Sequence, residues 1–445
     1  MKKQNETHIG IIGAGYTGLV AAYRLAQSGC QVTLLEKTAD LGGLAGDFEL
    51  HGERLEKFYH FTYKTDGYLI GLIEELGLKD TLHWHRSSIA IYYKGRHYPF
   101  MTPLDLLKFK PLSFFDRIRT GLIAFYLQRL TNWEKISSYT AYDWMTKFAG
   151  KNIRDVIWTP LLKGKFDKYY KDISMVWLWK RIKVRIDSKE KGEPTERLGQ
   201  LDDGFYSITK GLVKKLHEYQ VNIVTNTSAE KIIKDSATGK VTVVTPKSEF
   251  QFDKVIITTP SSVAAAMIAD NKEMTTEYLR RLNNVNYLGA VVFVFSSRQK
   301  LGNYYWYNIN DPQSPFLVFI NLTKLVGTEK FQGNHVYYIG AYVPHEHDYF
   351  QMAEAEIINC WTKYLKKMFP DFKNEQLLEK HLFRMRYAQH NMDVGYEQNI
   401  PSYTTPVKGV YLANFSQIFP DDRGINYAVR EGDKIAKLVL GDIMV

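Results

Sequence analysis

The chain has 445 residues, 45% of them hydrophobic and 24% charged, with a formal net charge of +10. That length leaves room for two or three domains and a large core, and the ordinary apolar and charged fractions exclude a disordered or fibrous chain. Two cysteines, Cys30 and Cys360, exclude a disulfide framework and a cysteine-ligated metal centre; no apolar run reaches the ~20 residues that span a bilayer, and dispersed basic residues without a binding module argue against nucleic acid.

The opening segment, Met1 to Glu6, is too short and polar for a secretory leader, and the expectation is a cytoplasmic protein. Residues 9–18 read as a buried apolar strand running into Gly13-x-Gly15-x-x-Gly18, with a helix following from Leu19 to Gln27. Gly13 permits the tight turn, Gly15 lets a pyrophosphate approach the backbone, and Gly18 lets the helix pack closely on the strand. The unpaired N–H groups and partial positive charge of the helix N-terminus favour phosphate. The next strand, from Val32, ends at Glu36, about 20 residues on, where a carboxylate accepts hydrogen bonds from a ribose. Past Lys37, Gly42 and Gly43 bring the backbone close to the cofactor a second time. That doublet resembles the second half of the FAD signature in glutathione-reductase-like flavoproteins, and no second GxGxxG marks a nicotinamide site. One tightly held FAD and no metal are expected.

Further along, residues 104–130 carry a helix capped by Ser113 and Asp116, with Phe115, Ile118, Leu122 and Phe125 near one stripe and Lys108, Lys110, Arg117, Arg119 and Arg129 around it. Two readings stand: a peripheral anchor on the inner face of a membrane, or a core helix of the substrate domain. Arg181 and Arg185, at i and i+4 on the helix Trp177 to Arg185, project from one face. They form either a clamp for a diphosphate or carboxylate or a solvated face. The charged segment 188–197, with Gly192 and Pro194, reads as an exposed linker or lid. A second nucleotide-binding block starts at Asp203-Gly204, continues through a helix from Tyr206 and a strand from Val221, and closes on a buried strand, Asp253 to Pro260. Apolar strands follow at 290–295, 316–320 and 335–342, and a last strand, loop and helix run from Gly409 to Val445.

The order Gly13, Gly15, Gly18, Glu36, Gly42-Gly43, then Asp203-Gly204-Phe205, then Asp253 to Pro260, then Arg423-Gly424-x-Asn426-x-Ala428 and Gly432 resembles the amine-oxidase-like flavoproteins. That superfamily includes protoporphyrinogen oxidase, phytoene desaturase and monoamine oxidases, and UDP-galactopyranose mutase is similar. Within it, Glu56 to Phe61 and Trp158 to Phe166 resemble the bacterial protoporphyrinogen-oxidase-like branch. The resemblance implies an α/β fold: a discontinuous Rossmann-type FAD-binding domain (1–86, 200–260 and 401–445) with an inserted α+β substrate domain (87–199 and 261–400). It also implies that Ser228-Ala229 meets the adenine through its backbone, and that the loop from Arg423 through Gly424, Asn426, Tyr427 and Ala428 lies against the flavin and opens a helix toward it. Asn414, where the family usually has Asp, is expected to keep a phosphate or ribityl contact. His60, between Tyr59 and Phe61, falls on the loop approaching the ring. It is a candidate to hydrogen-bond the flavin or move a proton, against the plainer reading of a packed turn histidine.

The function so implied is hydride removal from a small or apolar substrate, with phosphorylated substrates admitted by the positive charge, and reoxidation by oxygen, a quinone or another acceptor. His60, Arg423 and Tyr427 are the candidate catalytic residues, and Arg181 and Arg185 the candidate substrate ligands. A redox-neutral sugar-nucleotide mutase is the rival enzyme, and a non-catalytic flavin-bearing protein at a membrane surface is the third reading. Oligomeric state stays open.

Overall fold

The computed structural model describes residues 7–189, 192–193 and 195–444. The leader reading of residues 1–6 therefore lies outside the described residues, as do positions 190, 191 and 194 of the expected linker.

Five short apolar strands build a parallel sheet in the order Asn222–Val224, Gln31–Leu35, His8–Ile12, Lys254–Ile257, Val410–Leu412. Strands so apolar on both sides require cover on both faces. Ile9, Ile11, Val32, Leu34 and Ile256 pack under the helices Tyr16–Gln27, Gly67–Glu75, Tyr206–Glu218 and Ile425–Met444. Ile12, Leu35, Val255 and Ile257 face an antiparallel sheet (Lys231–Lys234, Val241–Val244, Glu249–Phe252) and the helices Ser261–Ile268 and Thr276–Asn283. Each such buried side chain contributes about 1.5–3 kcal/mol relative to exposure. Gly10 is required here, because a Cβ would sit 2.5 Å from the Phe252 ring.

The other large sheet has seven strands, ordered Leu377–His390, Tyr287–Ser297, His335–Val343, Val318–Asn321, Trp306–Ile309, Ile89–Tyr93, Arg96–Pro99. All its pairings are antiparallel except Trp306–Ile309 on Ile89–Tyr93. Val291, Phe293 and Phe295 alternate onto the helix Glu354–Met368, and Ala290, Val292 and Val294 onto the opposite face. A helical cap spanning 103–187 has its own core around Leu127, Trp144, Leu162 and Trp177.

Two expected boundaries move. The division at 199/200 falls inside the strand Arg197–Leu201, which pairs with Thr62–Tyr63 and Leu82–Arg86. The division at 260/261 also falls early, since the helices Ser261–Ile268 and Thr276–Asn283 share a core with the parallel sheet.

Candidate functional site

The fingerprint loop leaves the carboxyl edge of the parallel sheet, where open α/β sheets bind ligands. Gly13, at φ +103°, donates its N–H to the Leu35 carbonyl at 2.8 Å and turns the chain. The helix begins at once, with the Leu19 N–H on the Gly15 carbonyl. A Cβ on Gly18 would lie 2.0 Å from the Gly13 oxygen, so only glycine allows this strand–helix approach. Gly15 is different: a Cβ there would meet nothing within 4 Å. Its side-chain space is open, as a pyrophosphate cradle requires. The Gly42–Gly43 turn is drawn against the cradle, with the Gly42 N–H on the Ala14 carbonyl at 2.8 Å and Gly43 at φ +60°. Glu36 accepts the Ala14 N–H at 2.9 Å and the Thr38 N–H at 3.0 Å, and its backbone binds Thr227, just before Ala229. Lys37 is exposed. Loop shape and donor set therefore fit a dinucleotide.

Between the cradle domain and the antiparallel sheet lies a cavity of about 540 Å³. Gly424, Asn426 and Tyr427, at the start of the helix Ile425–Met444, line it together with His60 and Arg423. Arg181 and Arg185 also line it, from the helix Met175–Asp187, so the predicted pair faces the same space as the predicted flavin loop. Much of the remaining wall is apolar, including Ile89, Ile91, Phe100, Leu161 and Leu178.

Several buried groups set the local field. Asp422 takes Lys165 Nζ at 2.8 Å and Arg181 Nη1 at 3.2 Å. Burial alone would raise the Asp422 carboxyl, but Lys165, Arg181 and Arg423 together hold it below the usual carboxylate range. Burial pulls the Lys165 ammonium down against the opposing pull of Asp422. Arg423 donates from Nη2 to the Tyr342 hydroxyl at 2.7 Å, while its buried Nε has no partner among the described residues. Burial would also raise Tyr342, yet Arg423 and Lys165 bring its phenol below the ordinary value. His60 is lowered to about 3 by burial and by the Arg423 charge. It stays neutral at physiological pH, which suits hydrogen bonding better than proton carriage. Tyr427 donates to Asp421 at 3.0 Å, and burial with that carboxylate raises its phenol.

Some expected roles change. Asn414 donates to the Thr259 carbonyl and Ser261 Oγ and accepts from Ser416 N–H and Oγ. Both its amide hydrogens and both oxygen lone pairs are thus used within the chain, and its side chain caps a turn instead of reaching a phosphate or ribityl hydroxyl. Asn426 spends its oxygen on the Leu69 N–H at 3.1 Å, which ties the helix Ile425–Met444 to Gly67–Glu75, and Ala428 accepts Thr17 Oγ1 through its carbonyl. The expected linker is not exposed at its ends, since Ser188 and Glu196 are buried and Lys189 and Glu196 line the cavity. Lys165, Asp422 and Tyr342 were missed. The Asp421-Asp422-Arg423 run was the available signal, but its partners are about 80 to 260 residues away.

A parallel-sheet nucleotide cradle joined to a large antiparallel sheet, with a cavity between them, defines a two-domain dinucleotide-binding flavoprotein architecture. Residues 16–440 match the flavin containing amine oxidoreductase family, and the chain belongs to that family. Mitochondrial protoporphyrinogen oxidase of Nicotiana tabacum is 29% identical over 115 residues, a stretch covering 25% of this chain and 23% of that protein. Among solved structures, a protoporphyrinogen oxidase-like protein from Exiguobacterium sp. 255-15 superposes with a TM-score of 0.77 at 17% identity, covering 98% of both chains. Reduced UDP-galactopyranose mutase superposes at 0.76 and 17% identity, covering 98% of this chain and 96% of the other. These likenesses carry the fold.

Proposed function

We propose that this protein is an FAD-dependent oxidoreductase that removes a hydride from a mainly apolar substrate bearing an anionic group. The observation that carries this reading is the cavity of about 540 Å³, lined by Gly424 to Tyr427 and by both apolar and cationic side chains. Gly13, Gly15 and Gly18 would hold the pyrophosphate, Glu36 the ribose with Lys37 beside it, Ala229 the adenine, and Gly42 and Gly43 the approach toward the ribityl chain. The backbone at Gly424, Asn426 and Ala428 would present the helix N-terminus to the flavin, favouring negative charge there. When bound, FAD supplies the two-electron acceptor chemistry, with oxygen or a quinone as onward acceptor.

This chain's own residues would do the rest. The apolar wall excludes water and orients the substrate body. Lys165, Lys180, Arg181, Arg185, Lys189 and Arg423 outnumber Asp66, Glu196 and Asp422 around the cavity, a balance that favours an anion. Neutral His60 is placed to donate or accept one hydrogen bond. The purified protein should show a flavin absorption spectrum, and Gly15→Glu, which fills the open cradle, should abolish it; retained flavin in that variant would overturn the assignment.

The same cations favour a second reading, a redox-neutral enzyme that holds a sugar-nucleotide diphosphate on Arg181 and Arg185. Reductant consumption separates the two. A mutase turns over only when reduced and consumes no reductant per cycle, whereas an oxidoreductase consumes one acceptor per substrate.

A further inference from the structure

Large apolar side chains are exposed unevenly. Fourteen are exposed among the described residues, and eight of these fall between Leu104 and Tyr126. Six of the eight lie on one helix, Phe114–Arg129, and Leu104 and Leu107 on the short helix Pro103–Leu107 before it. Phe115, Ile118, Leu122 and Phe125 follow the 3–4 spacing of a single helical face, and they are 82%, 42%, 64% and 52% exposed. The opposite face holds Leu127, fully buried in the cap's core. The core-helix reading therefore fails for the apolar stripe, which points away from the core.

Charge accompanies the patch. Residues 104–130 hold five basic side chains and two acidic ones. Both acids are already hydrogen-bonded: Asp105 caps its helix by accepting the Met101 and Thr102 N–H groups, and Asp116 accepts Ser113 Oγ and Asn152 Nδ2. Lys108, Lys110, Arg119 and Arg129 remain exposed beside the apolar face, with the Arg129 guanidinium 3.8 Å from the Phe125 ring centroid. The same element meets the cavity, since Ala124 lines it, as do Phe100 and Met101 just before the helix Pro103–Leu107.

We propose that the helices Pro103–Leu107 and Phe114–Arg129 seat the protein on an anionic lipid bilayer, with the apolar face in the acyl boundary and the basic residues among the headgroups. This is the pairing of apolar stripe and basic rim that interfacial helices use. No helix among the described residues is long and apolar enough to cross a membrane, so the contact is peripheral. Charge selects lipid over a second copy of the chain, because a two-fold self-contact would set this basic surface against itself. The inference stands independently of the flavin chemistry. It also gives an apolar substrate a route from the bilayer into the cavity.

The test is co-sedimentation of the full-length protein with vesicles of phosphatidylcholine alone or mixed with phosphatidylglycerol, alongside its oligomeric state in solution. Binding should be about tenfold tighter to the anionic vesicles and should weaken several-fold as salt rises. Phe115→Ser/Leu122→Ser should lower the partition coefficient by at least about tenfold, and Lys108→Gln/Lys110→Gln should lose mainly the phosphatidylglycerol preference. Tyr219→Ser, which removes an exposed aromatic elsewhere, should bind as the wild type does. Thermal melting of each variant checks that it is folded. Absence of vesicle binding by the wild-type protein overturns the proposal, whatever the variants do. So does undiminished binding by a folded Phe115→Ser/Leu122→Ser protein, or a dimer that this pair of substitutions dissociates without any effect on vesicles.

Discussion

Glu56 is a fully enclosed carboxyl whose Oε1 accepts the Phe205 N–H at 2.6 Å, with no ion-pair partner among the described residues. Burial raises it to about 7, so the folded protein keeps its proton where the unfolded chain has lost it. Its contribution is therefore fully present below the unfolded value, near 4.5, and is lost as pH rises through about 7. Urea midpoints of the wild type should fall across that window, and Glu56→Gln should flatten the profile; an unchanged slope would sink the assignment. Lys165→Met makes the opposite point, because it takes from the buried Asp422 its shorter ion pair and leaves Arg181 at 3.2 Å with the more distant Arg423 charge. A loss of about 3 kcal/mol is expected from urea unfolding, with partial recovery when Asp422→Asn is added. The sequence marked Glu56 and Lys165 only as members of two family-like segments and announced the burial of neither. A carboxylate and a lysine are surface residues by default, and only packing put these two where water is absent. The cradle glycines were legible for the converse reason: their spacing encodes a local turn, which needs no distant partner.

Among the elements, the closing helix Ile425–Met444 lies on the fingerprint helix Tyr16–Gln27 through a glycine contact. A Cβ on Gly432 would come within 2.7 Å of Val20 Cβ and 2.9 Å of the Thr17 carbonyl oxygen. Gly432→Val should therefore part the two helices, costing about 3 kcal/mol. Because Gly424 to Tyr427 sit at that helix's N-terminus, flavin content should fall as well as melting temperature. Strands such as Tyr287–Ser297 and helices such as Met175–Asp187 were foreseeable from apolar runs and 3.6-residue periodicity. The helix Phe114–Arg129 was foreseeable as a helix, but which way its stripe faces was not. An amphipathic pattern states that two faces differ and leaves open what covers the apolar one.

For the whole molecule, the parallel sheet draws strands from positions 8–12, 31–35, 222–224, 254–257 and 410–412, so the sheet is complete only when segments about 400 residues apart in sequence have joined it. Truncation before Val410 removes an edge strand and the closing helix whose N-terminus is proposed to face the flavin. It should leave a protein without cooperative melting and without flavin, as read by calorimetry and absorbance. The strand–glycine–helix unit, the acidic strand end and the order of the blocks declared a dinucleotide cradle and its family from residues 8–46 and their later echoes. Those signals are short-range: glycine geometry, helix dipole and hydrophobic period act within a few turns of chain. The cavity's chemistry was another matter. It depends on Arg181 from one helix, Asp422 and Arg423 from a loop about 240 residues later, and Tyr342 from a strand of the opposite sheet. No local rule relates such positions. Their desolvation and mutual charge arise only once the two sheets and the helical cap have closed around them.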